Sequence, residues 1–124
     1  MLAGDLIDPY TGVLVTYRRG NPAHGVDIDH VFPEALAWDM GAARWPLALR
    51  ERFANDPNNL LAVSASANRS KGDLGPAQWL PHITKTSEQC RFASIIAYDV
   101  RTYKLSLTRA DVSALATVQQ RCPA

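Results

Sequence analysis

Cysteine is scarce in this chain: Cys90 and Cys122 are the only two in 124 residues, and they form no C-x-x-C pair. Zinc ribbons and thioredoxin-type redox motifs are therefore excluded. An excess of one charge is lacking too, since 13 Lys and Arg against 12 Asp and Glu leave a net charge of +1. That balance excludes a broadly basic nucleic-acid coat, and any phosphate contact has to come from a local patch. Nowhere do about 18 uncharged apolar residues run together, so no helix is expected to span a membrane. The opening M-L-A-G-D-L-I-D-P-Y-T-G has neither a basic lead nor an apolar h-region, and no signal peptide is expected there. Internal repeats, linkers, low-complexity segments and helix-turn-helix signals are likewise missing.

What remains is a chain that is 47% apolar and long enough to bury a modest core as one domain. Residues 5–12, D-L-I-D-P-Y-T-G, read as a turn. Val13, Val15 and Tyr17 alternate as a half-buried strand, Arg18 to Pro22 breaks it, and 26–31 resumes the alternation, so 13–17 and 26–31 are expected to pair as a β-hairpin. Helices are expected after Pro33 and Pro46, with Leu36 and Met40 on one edge and Leu49 and Phe53 on another. N-D-P-N at 55–58 is a turn cluster, and 60–63 is strand-like. Ser64 or Ser66 can cap a following helix that Gly72 stops. This predicts an α+β fold with a ββα core over about 13–72.

A helical brace over about 87–122 follows. Phe92, Ile95, Ile96, Val100 and Tyr103 form one stripe, and Thr108 with Asp111 forms a capping-box variant. Val112, Leu115, Val118 and Cys122 are expected on one face of the last helix. Trp38, Trp45 and Trp79 are expected in the core or as staples. The cysteines lie near helix ends that an antiparallel pair could bring together. A disulfide there, worth about 3–4 kcal/mol in the chain-entropy picture, and two buried thiols both fit.

The chemistry gathers in V-D-I-D-H-V-F-P at 26–33 and N-N-L-L-A-V-S-A-S-A-N-R-S-K at 58–71. Asp29 directly precedes His30, and Asn59 and Asn68 flank the second apolar run. An Asp-His pair that meets an Asn on a following helix can hold one hard divalent cation beside one proton acceptor, the combination that phosphodiester hydrolysis requires.

On these residues the sequence resembles the HNH (ββα-metal) endonucleases. With D-P-Y-T-G, the I-D-H-V-F-P-E-A-L-A-W-D run, N-D-P-N-N-L-L, W-L-P and C-R-F-A, it is similar to the bacterial branch sharing the C-terminal domain of the GmrSD modification-dependent restriction enzymes. The resemblance covers roughly residues 4 to 122. It implies a ββα-metal core in which His30 is the general base and Asn59, the middle position of the pattern, orients the loop beside that histidine. It implies Asp29 and Asn68 as ligands of one divalent ion, Mg²⁺ first and Mn²⁺ second, because both offer hard oxygen donors. Lys71 and Arg69 would hold phosphate. Nucleic acid, DNA first, would be the substrate, cleaved to leave 5′ phosphates. Asn68 stands where the family name has its second histidine.

Plainer roles exist beside these. Lys71 can complement a helix C-terminus, Arg18 and Arg19 can be solvated turn residues, and His24 and His82 stand near turns, where a metal or phosphate role is the lesser expectation. A non-catalytic nucleic-acid-binding module and a toxin domain with fused domains or an immunity protein as partner are the rival functions. Longer relatives of this branch carry a leader or anchor before D-P-Y-T-G, so a cytoplasmic and an extracellular location both stay open.

Overall fold

The computed structural model describes residues 3–18, 20 and 25–123. The architecture is α+β, with two separate two-stranded antiparallel sheets and six α-helices among these residues. In order they are β1 (Ala3–Ile7), β2 (Leu14–Arg18), β3 (Val26–His30), α1 (Glu34–Asp39), α2 (Leu47–Ala54), β4 (Leu60–Ser64), α3 (Ala65–Lys71), α4 (Pro76–Trp79), α5 (Thr86–Tyr103) and α6 (Arg109–Gln119). Three 3-10 turns, Ala42–Arg44, Pro57–Asn59 and Leu80–His82, link helices and strands.

The expected hairpin between 13–17 and 26–31 does not form. β2 pairs with β1, placing Ile7 opposite Leu14, and β3 pairs with β4, placing His30 opposite Leu60 and Val26 opposite Ser64. Alternation marks a strand but carries no information about its partner, which turn chemistry and burial decide. Here D-P-Y-T-G is the hairpin turn. Gly12 adopts φ +77°, its N–H donates to the Asp8 carbonyl, and Asp8 N–H donates to Val13 O, both at 2.9 Å. A side chain at Gly12 would be strained in that conformation and would crowd Thr84. Arg19, Pro22 and His24, which the sequence placed in the β2–β3 connection, lie outside the described residues.

The strand pair that α3 accompanies is therefore β3 and β4, and α1 and α2 are inserted between them. Ser64 ends β4 and starts α3, its Oγ accepting from Ala67 N at 3.0 Å, so Ser64 and not Ser66 is the cap. Gly72 ends α3 at φ +49°.

The core joins both halves of the chain. Phe53 meets Phe32, Trp45 and Tyr103 edge-on, with ring centroids 5.1–6.3 Å apart, and Trp45 stacks on Tyr103 at 5.6 Å. Tyr10 meets Trp79 and Phe92 edge-on. On α5, Phe92, Ile96, Asp99 and Tyr103 are buried, and Ile95 and Val100 flank them. Asp99 occupies the apolar stripe with both carboxylate oxygens unpartnered among the described residues.

Two expectations about apolar side chains need correction. On α6 the buried positions are Asp111, Leu115 and Val118, while Val112 is 52% exposed. Leu115 and Val118 are buried as expected, but Asp111 takes the inward position in place of Val112, accepting from Ala77 N at 2.9 Å at the start of α4. Trp38 is also outside the core, 49% exposed, with the Arg50 guanidinium 5.3 Å above its ring. Trp79 is buried as expected. Cys90 and Cys122 are joined in a disulfide that ties α5 to the segment following α6.

Candidate active site

β3 delivers two acidic side chains to one face and His30 to its end. Asp27 and Asp29 face α3, and the helix returns a partner to each. Asn68 Nδ2 donates to Asp27 Oδ2 at 3.2 Å. Lys71 Nζ lies 3.3 Å from Asp29 Oδ1 and 3.2 Å from Oδ2, and also donates to the His30 carbonyl at 3.0 Å. The three-residue step from 68 to 71, a rise of about 4.5 Å, comes near enough to the two-residue strand step from 27 to 29, about 6.6 Å, for both side chains of α3 to reach a partner.

Lys71 is wholly buried. Burial pulls its pKa below the usual lysine range, and the charge of Asp29 opposes that pull. The ammonium expected to meet phosphate from the end of α3 thus faces inward, onto a carboxylate. Arg69, on the same helix, is exposed.

Asp29 has a third partner that sequence reasoning missed. The Tyr10 hydroxyl donates to Asp29 Oδ2 at 2.6 Å from a ring that is 1% exposed. Burial, then the adjacent Asp29 charge, push the phenol's pKa far up, so it remains a donor. The available signal was Tyr10 inside D-P-Y-T-G, a motif read only as a turn.

His30 is half-buried, with its side chain 27% exposed. Its Nε2 lies 2.8 Å from the carbonyl of Ala54, the last residue of α2. Carbonyls at a helix C-terminus lack intrahelical donors, so this one is free to accept. A carbonyl can only accept, and the bond therefore fixes the proton on Nε2 and leaves Nδ1 of a neutral ring with its lone pair. Glu34 Oε1 is 3.7 Å from Nδ1, a contact that becomes an ion pair when the ring is protonated.

Asn59 is fully buried and grips the segment after His30 from both sides. Its Oδ1 accepts from Phe32 N at 2.8 Å, its Nδ2 donates to Phe32 O at 3.1 Å, and its backbone carbonyl accepts from Val31 N at 2.9 Å. The turn that carries it is held by Asp56, whose Oδ1 accepts from Asn58 N at 2.9 Å.

The residues suit a hard cation in kind. Asp27, Asp29 and Asn68 are oxygen donors on one side of β3 and α3. Asn68 uses only its Nδ2 toward Asp27, leaving the amide oxygen outside that bond. With Lys71 counted, the two carboxylates leave one formal negative charge. Among the described residues no group of three or more His, Cys, Asp or Glu is set to hold a metal. An ion at this face would have few protein ligands and keep positions for water and substrate oxygen, which is how Mg²⁺ is commonly held. His82 stands apart, stacked on Trp79 with centroids 5.2 Å apart.

Over residues 5–118 the sequence matches the family described as GmrSD restriction endonucleases, C-terminal domain. The chain belongs to this family. One relative of this GmrSD C-terminal domain is a protein of Arthroderma benhamiae named "Uncharacterized secreted protein", 38% identical over 122 residues. That alignment takes in 97% of the chain but 56% of the relative, so the chain spans little more than half of the relative's length. The relative is fungal, so the likeness extends beyond bacterial proteins. No solved structure matches the chain, and no helix among the described residues is long and apolar enough to cross a membrane.

Proposed function

We propose that this GmrSD C-terminal domain is a metal-dependent endonuclease of the HNH type, hydrolysing phosphodiester bonds of DNA on a ββα-metal core made of β3, β4 and α3. The observation that carries the reading is the His30 tautomer. A half-exposed imidazole tied through Nε2 to Ala54 O has its basic Nδ1 available, on the residue that directly follows Asp29 at the end of β3.

In this reading Nδ1 of His30 takes the proton of the water that attacks phosphorus, and Glu34 stabilises the imidazolium that results. Asn59 keeps the loop after His30 in place, a positioning role. Asp29 and Asn68 hold one divalent ion, Mg²⁺ or Mn²⁺, which when bound supplies charge stabilisation at the phosphoryl oxygens and the departing 3′ oxygen. Arg69 is the cation available to a neighbouring phosphate, and Lys71 orients Asp29 from beneath. The C-terminal helices brace the core. The disulfide favours an oxidising compartment, which fits an exported protein and agrees with the word "secreted" in the fungal relative's name.

Plasmid nicking tests the proposal. Cleavage is expected with Mg²⁺ or Mn²⁺, abolished by EDTA and lowered about 10²–10⁴-fold by His30→Ala. Activity that survives EDTA or His30→Ala overturns it. One observation favours a second reading, a non-catalytic DNA-binding module: Lys71 already neutralises Asp29 without any metal. Equal DNA binding by wild type and Asn68→Ala, with no cleavage by either in any divalent ion, would select that reading.

A further inference from the structure

We propose that Tyr10 is a positioning residue for Asp29, the hairpin turn reaching across the fold to decide which oxygen of that carboxylate faces a cation. The inference rests on the nuclease reading above and deepens it.

Asp29 is held from two sides by different chemistry. Lys71 touches both oxygens at nearly equal distance, so it neutralises the group without distinguishing them. Tyr10 donates to Oδ2 alone, at 2.6 Å. Oδ2 therefore has two partners and Oδ1 one, and Oδ1 is the oxygen left to face a ligand. A short bond from a neutral donor to an ionised acceptor is among the stronger protein hydrogen bonds, and it fixes the carboxylate plane as well as its charge.

A positioning group must itself be fixed, and Tyr10 is. Its ring is pinned edge-on by Trp79 at 5.3 Å and Phe92 at 6.3 Å. Its carbonyl accepts from Thr84 N at 3.1 Å. Asp8 anchors the turn, accepting from Tyr10 N, Thr11 N and Thr11 Oγ1 on its own side. The same carboxylate crosses to the start of α3, accepting from Ser64 N and Ser64 Oγ at 3.1 Å each. Burial alone would raise the Asp8 pKa, but these bonds outweigh it and hold it below the usual range. The turn is thereby clamped to the β4–α3 junction, so Tyr10 and Lys71 approach Asp29 from parts of the fold that cannot drift independently.

The test is Tyr10→Phe in the full chain, which keeps the ring and removes only the hydroxyl. Mn²⁺ binding is measured by calorimetry without nucleic acid, alongside plasmid cleavage and thermal melting. Outer partners of metal ligands commonly contribute 10–100-fold to affinity or activity. Tyr10→Phe is accordingly expected to weaken Mn²⁺ binding and slow cleavage by at least about tenfold, with the KM for DNA within about twofold of wild type. Tyr103→Phe is the control, since it deletes an equally short bond to a different buried aspartate. It is expected to lower the melting temperature and leave Mn²⁺ affinity alone. Wild-type Mn²⁺ affinity and rate in Tyr10→Phe, or equal losses in both variants, overturn the proposal. A wild type that neither binds Mn²⁺ nor cleaves is a separate outcome, which sinks the nuclease reading and this proposal together. Should Tyr10→Phe fail to fold, the wild-type Tyr10 hydroxyl proton carries the test by NMR: a shift on adding Mg²⁺ is expected, and its absence overturns the role.

Discussion

Two tyrosines place a hydroxyl 2.6 Å from a buried aspartate, Tyr10 on Asp29 and Tyr103 on Asp56, and the surroundings make them different devices. Asp29 has an ammonium beside it. Asp56 has neutral donors only: Tyr103, Tyr98 at 2.8 Å, and the backbone and side-chain N–H groups of Asn58. Burial would raise the Asp56 pKa, yet Tyr103, the Asn58 N–H and Tyr98 together hold it below the usual carboxylate range. A buried carboxylate can thus stay charged on hydrogen bonds alone. Asp99 shows the limit of that arrangement. Buried beside Asp56 with no donor of its own, it is pushed up to about 8, by desolvation first and the Asp56 charge second. Asp29 has its charge paired with Lys71, whereas the Asp56 region has a proton-dependent weak point.

The largest expected effect breaks the charged side of this comparison. Lys71→Met leaves Asp29 buried with only Tyr10 and should cost about 3–5 kcal/mol, read from the urea midpoint. The double variant Lys71→Met/Asp29→Leu should recover most of that loss, because removing both charges relieves the uncompensated one. On the brace side, Cys90→Ser with Cys122→Ser should cost about 3–4 kcal/mol by releasing the link between α5 and the segment following α6. Tyr103→Phe should cost about 1.5–3 kcal/mol as one bond to a charged acceptor is lost. A loss no larger than a few tenths would mean that Tyr98 and Asn58 already suffice.

The smallest effect, taken one pH unit at a time, concerns Asp99. With a raised pKa, Asp99 binds more protons folded than unfolded, so its contribution is intact below about pH 4 and declines as pH rises toward about 8. Each pH unit in that window can cost up to about 1.4 kcal/mol. Asp99→Leu should flatten the decline and be more stable than wild type at pH 8 by at least about 1 kcal/mol. Urea midpoints at pH 5 and pH 8 measure this, and equal slopes in both proteins would refute it.

Much of the local structure was legible. A serine cap at 64 or 66, Gly72 as a stop, the α5 stripe and the Thr108 cap follow from bonds between near neighbours, and such bonds leave marks at fixed short spacing. Strand pairing did not follow. β1 lay hidden in a stretch that reads as a turn because its turn, D-P-Y-T-G, comes immediately after it. Val112 and Leu115 cannot be ranked for burial by periodicity once a polar residue, Asp111, takes the inward position to cap α4. Asn59 was readable as a grip on the His30 loop only through family likeness, since nothing local links it to Phe32.

The sequence by itself determined the α+β composition, the Asp29-His30 pair, the two asparagines, the two cysteines and membership of the GmrSD C-terminal family. Only the tertiary structure decided that β3 takes β4 as its partner, that Lys71 points inward, that Ala54 sets the His30 tautomer and that Tyr10 reaches Asp29. The physical reason is range. Caps and periodicities act over a few residues and are written where they act, whereas a hydrogen bond between residues 19 or 42 apart exists only once packing has brought both ends out of water.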